Sequence, residues 1–98
     1  MAQWSLYLVR TRAGALYAGV STDVGRRLAE HGGARGAKAL RSRGPLALAY
    51  HVAIGSRALA QAAEARVKRL PKRYKESLVA AAPDRERLLA ALGLAPPA

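Results

Sequence analysis

The chain has 98 residues, 51% of them hydrophobic, and sets 17 Lys/Arg against 6 Asp/Glu for a formal charge of +11. That length bounds a single domain with a small core, and that apolar content predicts a folded globule rather than a disordered chain. The absence of cysteine excludes a disulfide framework, a thiolate zinc site and a thiol nucleophile.

Trp4 to Thr11 (WSLYLVRT) is rich in aromatic and branched residues and predicts a strand. Arg12-Ala13-Gly14 supplies a short turn in which Gly14 can take positive φ, and Ala15 to Val20 returns as a second strand. Ser21, Thr22 and Asp23 are all good N-caps for a helix from Val24 to His31, which Gly32-Gly33 ends. Gly33 to Gly44 is a basic, glycine-punctuated connection with room for one helical turn. Leu46 to Ile54 predicts a third strand, buried on at least one face. Ser56 caps a helix running to Leu70, with Leu59, Ala63, Val67 and Leu70 as its apolar stripe. Pro71 fits the first turn of another helix, Lys72 to Ala81, and Asp84 to Leu92 forms a last short one before Gly93. The order ββαβααα predicts an α+β fold, a small three-stranded antiparallel sheet flanked by helices.

The charge excess favours a polyanionic partner, most often nucleic acid, through phosphate contacts and counterion release. No apolar run is long enough to span a bilayer and no signal-peptide pattern opens the chain, so a cytoplasmic protein without a membrane partner is expected. No GxxxxGK[ST] loop is present, which argues against a nucleotide cofactor. His31 and His51 form no metal-binding spacing, and six scattered acids offer no glycosidase pair.

Val24, Arg27, Leu28 and His31 fall at i, i+3, i+4 and i+7 and share one helix face. Arg26 pairs with Glu30 at i+4, which leaves Arg27 beside the apolar stripe with no acid on its own face. An anion, such as a phosphate, would satisfy it; the alternative is a snorkelling arginine, with His31 as a helix C-terminal cation. Glu64 is the one carboxylate between His31 and Lys75, a stretch with eleven Lys/Arg. It can pair with Lys68 at i+4, or serve as a Mg²⁺ ligand that water and substrate oxygens complete. Tyr7 and Tyr17 occupy the hairpin strands, where they either pack across strands or act chemically beside a cation.

Together these residues resemble the GIY-YIG nuclease domain. Its half-motifs correspond to SLY (Ser5 to Tyr7) and YAG (Tyr17 to Gly19), and STDVGRRLAEH and AEARVKRLPKRYKESLV continue the likeness over most of Trp4 to Val79. The short length resembles the small stand-alone bacterial members. The resemblance implies that 1–82 is the nuclease-like domain, with 83–98 a C-terminal helix and frayed tail packed on it. It implies Tyr7, Tyr17, Arg27, His31 and Glu64 as catalytic residues. Of these, one tyrosine is the general base, Tyr7 in preference to Tyr17, Arg27 binds phosphate, His31 is a supporting acid/base or phosphate contact, and Glu64 holds Mg²⁺ or Mn²⁺.

Two basic groups would track a DNA backbone: Arg35, Lys38, Arg41 and Arg43, then Lys68, Arg69, Lys72, Arg73 and Lys75. The implied activity is metal-dependent endonucleolytic hydrolysis of single-stranded or distorted DNA, by a monomer or weak homodimer. The alternative is a weakly catalytic or non-catalytic module that binds RNA or branched DNA. Leu6 and Ala18 replace the family's central isoleucines, Ser5 replaces the first glycine, and the chain has no Asn where many members carry one after the glutamate.

Overall fold

In the computed structural model, residues 2–31 and 46–94 are described, the side chain of His31 excepted. Three strands, β1 (Trp4–Arg10), β2 (Leu16–Ser21) and β3 (Ala47–Gly55), form one sheet in the order β2-β1-β3, antiparallel throughout. Among the described residues four helices accompany it: α1 (Val24–His31), α2 (Arg57–Lys68), α3 (Lys72–Ala81) and α4 (Arg85–Ala91). The fold is α+β, as the sequence predicts.

The central strand explains the architecture. Leu6, Tyr7, Leu8 and Val9 are all buried, so β1 is covered on both faces. Leu6 and Leu8 join Tyr50 and Ile54 of β3, Ala60, Ala63 and Val67 of α2, and Leu88 and Leu89 of α4 in the main core. Tyr7 and Val9 point to the other face, where Tyr17, Val24, Leu28 and Leu46 pack over them. One helix, α1, therefore seals the second face through Val24 and Leu28, and it is this face that gathers the candidate chemistry.

Local signals set the element ends. The hairpin closes with the Thr11 amide donating to the Ala15 carbonyl and the Gly14 amide to the Thr11 carbonyl, each at 2.9 Å, and Gly14 takes φ +92°. Ser56 Oγ accepts from the Leu59 amide at 3.2 Å, and Asp84 Oδ1 accepts from the Arg87 amide at 2.9 Å. Pro71 precedes α3 as its N-cap instead of entering the first turn, with its carbonyl accepting from the Tyr74 amide. Leu70 lies just past the end of α2, where it still packs on the core. Tyr50 donates to the Pro83 carbonyl at 2.6 Å, tying β3 to the α3–α4 connection, and burial pushes its phenol up to about 12.

Arg10, at the end of β1, grips Glu76 of α3 with both guanidinium nitrogens, at 2.6 and 2.7 Å, and Lys72 adds a contact at 3.4 Å. The Arg10 hydrogen bonds hold the Glu76 carboxyl at about 2, below its ordinary 4.5. A carboxylate with a depressed folded pKa stabilises the fold above its unfolded pKa, and that contribution is lost as pH falls toward the folded one. Wild type should therefore be more stable than Glu76→Gln above pH 4.5, with the gap closing as pH falls toward about 2. Urea midpoints across that window measure it; a gap unchanged at the acid end would show that the pair contributes through packing alone.

Candidate active site

Tyr7 is placed by the strand alternation that buries Leu6 and Leu8 on the opposite face. Its partner in the β1–β2 register is Gly19, and the phenol ring lies directly over that glycine. A Cβ at Gly19 would clash with the Tyr7 Oη and Cζ and stand 3.0 Å from Cε1. The glycine of YAG therefore provides space, and not a special backbone conformation, since its φ is not positive.

Beyond β2, Ser21 Oγ accepts from the Asp23 amide and donates to the Asp23 carbonyl, each at 3.0 Å. Asp23 Oδ1 in turn accepts from the Arg26 amide at 3.0 Å, so Asp23 is the working cap among the three candidates. This corner aims α1 so that Val24 and Leu28 dock on Tyr7 and Val9, which brings Arg27 to the phenol. Arg27 Nη1 donates to Glu30 Oε2 at 3.0 Å, and its guanidinium is near enough to Tyr7 to act on the phenol. The expected Arg26–Glu30 pair forms, at 3.7 Å, but Glu30 also lies 3.0 Å from Arg27, which corrects the expectation that Arg27 lacks an acid. Arg27 does have an acid partner, because Glu30 at i+3 lies within reach on the same helix.

Glu64 sits beside buried Ala63 on α2, with 22% of its side chain exposed, and Lys68 Nζ lies 3.4 Å from its Oε2. Its charge is nevertheless felt at Tyr7. Burial raises the Tyr7 pKa above 10.0; Arg27 pulls it down by hydrogen bond and charge, and the Glu64 and Glu30 carboxylates push it up. Tyr7, Arg27, Glu30 and Glu64 thus form one electrostatic neighbourhood assembled from β1, α1 and α2. Hydrogen bonding to Glu30 raises the Arg27 pKa in turn, with Tyr7 adding to it, so the guanidinium stays charged.

Tyr17 faces Val9 in register and packs half-buried on the Tyr7–Val9 cluster. His51 is the β3 residue opposite Tyr7, exposed on the same face of the sheet. Lys68, Arg69, Lys72 and Arg73 are exposed and Lys75 is half-buried. The His31 side chain and Arg35, Lys38, Arg41 and Arg43 lie outside the described residues.

Among the described residues no group of three or more His, Cys, Asp or Glu converges as a metal cage. A lone, partly exposed carboxylate fits a hard divalent cation that keeps waters and takes substrate oxygens as its remaining ligands. Glu64 could hold such a cation if Lys68 gave up its 3.4 Å contact.

The model of the GIY-YIG catalytic domain matches residues 3–77. The chain belongs to the GIY-YIG family. A UPF0213 protein of Citrobacter koseri is 51% identical over 92 residues, covering 94% of this chain and 92% of its own. A UPF0213 protein of Yersinia pseudotuberculosis is 52% identical, covering 94% of each chain. The solution NMR structure of a UPF0213 protein from Bacillus halodurans shares 38% identity at a TM-score of 0.53, over 81% of this chain and 84% of that one. GIY-YIG membership points to the nuclease superfamily and implies a nucleic-acid substrate.

Within this GIY-YIG domain the departures from the half-motifs are accounted for by packing. Leu6 is fully buried in the main core and Ala18 packs against it, so apolar side chains fill the positions of the two isoleucines. Ser5 lies opposite Ser21 in the ladder.

Proposed function

We propose that this chain is a metal-dependent endonuclease that hydrolyses phosphodiester bonds in single-stranded or structurally distorted DNA. The observation that carries the reading is that α1 docks on the buried Tyr7 through Val24 and Leu28 and so sets Arg27 near the phenol, where the Glu64 charge also acts. An arginine near a buried phenol, with carboxylate charge in range, suits phosphoryl chemistry, where positioning and charge stabilisation dominate.

A guanidinium carries five N–H donors, so bonds to Glu30 and Tyr7 leave others for the non-bridging oxygens of a phosphodiester. Glu64 is the residue that would hold Mg²⁺ or Mn²⁺. Such an ion supplies Lewis acidity to a phosphate oxygen and offsets the carboxylate charge that pushes Tyr7 up. Tyr7, once its phenolic proton has left to solvent, would act as the phenolate that takes a proton from the attacking water as the water oxygen bonds to phosphorus. The bond to the leaving oxygen then breaks, and that oxygen is protonated from solvent. Tyr17 packs against Tyr7 and is assigned to orienting water or phosphate. His31 is assigned to a supporting acid/base or phosphate contact, and Lys68, Arg69, Lys72, Arg73 and Lys75, with Arg35, Lys38, Arg41 and Arg43, would bind the flanking backbone.

A second reading, a weakly catalytic or non-catalytic module for RNA or branched DNA, is favoured by the missing Asn and by the existing Glu64–Lys68 pair. Labelled single-stranded, duplex and branched DNA, and RNA, incubated with Mg²⁺, Mn²⁺ or chelator, separate the two. Metal-dependent cutting of single-stranded or branched DNA is the expected result. Retention without cutting under every metal condition would select the second reading, and cutting in chelator would remove Glu64 from the mechanism.

A further inference from the structure

Two large apolar side chains stay exposed among the described residues, and one, Tyr74 at 48%, is aromatic. It stands in the first turn of α3, on the run from Glu64 to Glu76 in which no carboxylate intervenes and six Lys/Arg do. Both flanking acids are already engaged, Glu64 by Lys68 and Glu76 by Arg10 and Lys72, so the segment presents positive charge outward. The Arg73 guanidinium lies over the Tyr74 ring, 4.9 Å from its centroid, with Nη2 3.5 Å from the hydroxyl.

The ring also lines a groove of about 380 Å³ between α3 and α4, walled by Leu70, Leu78, Pro83 and Leu92 with Arg87 at its edge. No carboxylate is among the described residues lining it. An apolar groove edged by cations and an exposed ring needs an occupant that is flat and apolar in one part and anionic in the next. An unpaired nucleotide meets both demands, since every base offers a π-face and every linkage a negative charge. A protein partner would have to be apolar and acidic at once.

We propose that Tyr74 is a stacking platform for an unpaired nucleobase, with Arg73 and its basic neighbours on the adjoining phosphates and the base seated over the α3–α4 groove. This rests on the nucleic-acid reading above and gives its preference for unpaired strands a residue, because a base held in a duplex cannot reach a ring in this way.

The test measures affinity by fluorescence anisotropy in chelator, so that nothing is cut, with a labelled single strand and an abasic strand of equal length. Tyr74→Ala should weaken binding of the base-bearing strand roughly 5- to 150-fold and leave the abasic strand nearly unchanged. Tyr74→Phe and Tyr74→Trp should both keep wild-type affinity. Equal loss on both strands, or no loss on either, overturns the platform while wild-type binding keeps the nucleic-acid reading intact. Wild type that binds neither strand removes that reading, and the platform with it. Unchanged DNA affinity together with altered self-association in sedimentation would assign the groove to a second copy of the chain, and overturn the proposal.

Discussion

Glu64→Ala should lower DNA cleavage by about 10²- to 10⁴-fold in saturating Mg²⁺ or Mn²⁺, the several kcal/mol that a bound cation contributes to a phosphoryl transition state. DNA affinity in chelator should be equal or tighter, because the substitution removes one negative charge from a basic run and frees Lys68 from its 3.4 Å contact. Stability should change little, since an ion pair to a mostly exposed lysine contributes about 0.2–1 kcal/mol. Three measurements together identify the carboxylate: cleavage rate, DNA affinity, and Mn²⁺ binding followed by paramagnetic resonance. Glu64→Gln should behave like the alanine variant, because an amide keeps the shape but not the charge a hard cation needs, while Glu64→Asp should retain part of the activity. A Glu64→Ala protein that cuts and binds Mn²⁺ like wild type would reduce Glu64 to a partner for Lys68. The Tyr7 phenol offers a second readout, as removing Glu64 deletes one of the two carboxylate charges that raise its pKa.

The parts of the fold legible in the sequence are those governed by near neighbours. Alternation assigns Leu6 and Leu8 to one face and Tyr7 and Val9 to the other, and Gly14, Ser56 and Asp84 announce their turn and caps through local hydrogen bonds. What stays hidden is decided by elements that meet only after folding. Glu30 lies within helical reach of both Arg26 and Arg27, and nothing in α1 chooses between them. The structure keeps both contacts, Arg27 at 3.0 Å and Arg26 at 3.7 Å, and the influence of Tyr7 on Arg27 comes from a strand that helix spacing does not report. Likewise the Glu64 spacing allows a pair with Lys68 or a role at the site; the Lys68 contact forms while the Glu64 charge still acts on Tyr7, because α2 packs through Ala60, Ala63 and Val67 and leaves Glu64 at the margin. Arg10 with Glu76, and Tyr50 with Pro83, join residues 66 and 33 positions apart, with no local pattern to betray them. One signal was available and passed over. With the turn closed by Thr11 and Ala15, every paired position in the hairpin follows, and Tyr7 must fall opposite Gly19.

Gly19→Ala should disable the site with no change in any charged group. The added methyl would occupy the space now held by the Tyr7 Oη and Cζ, and Tyr7 is only 4% exposed, packed beneath Val24 and Leu28 with little room to yield. Overpacking of this kind costs about 1–3 kcal/mol, enough to lower the melting temperature measurably in a domain of this size. Any relief requires the ring to swing off the strand, which takes the phenol out of reach of Arg27 and away from its position beside Glu64. Activity should therefore fall by at least the factor expected of losing a general base, about 10²-fold or more, while the protein remains folded by circular dichroism. A double-mutant cycle distinguishes this from general strand damage. With Tyr7→Ala in place there is no ring to displace, so adding Gly19→Ala should cost almost nothing further in stability, where the same change costs wild type the full amount. Additive losses in the cycle would mean that the methyl disturbs something other than Tyr7, and the glycine of the second half-motif would need another explanation. Coupling close to the whole single-mutant cost would establish that the two half-motifs act as one device, a phenol on one strand and the space for it on the next.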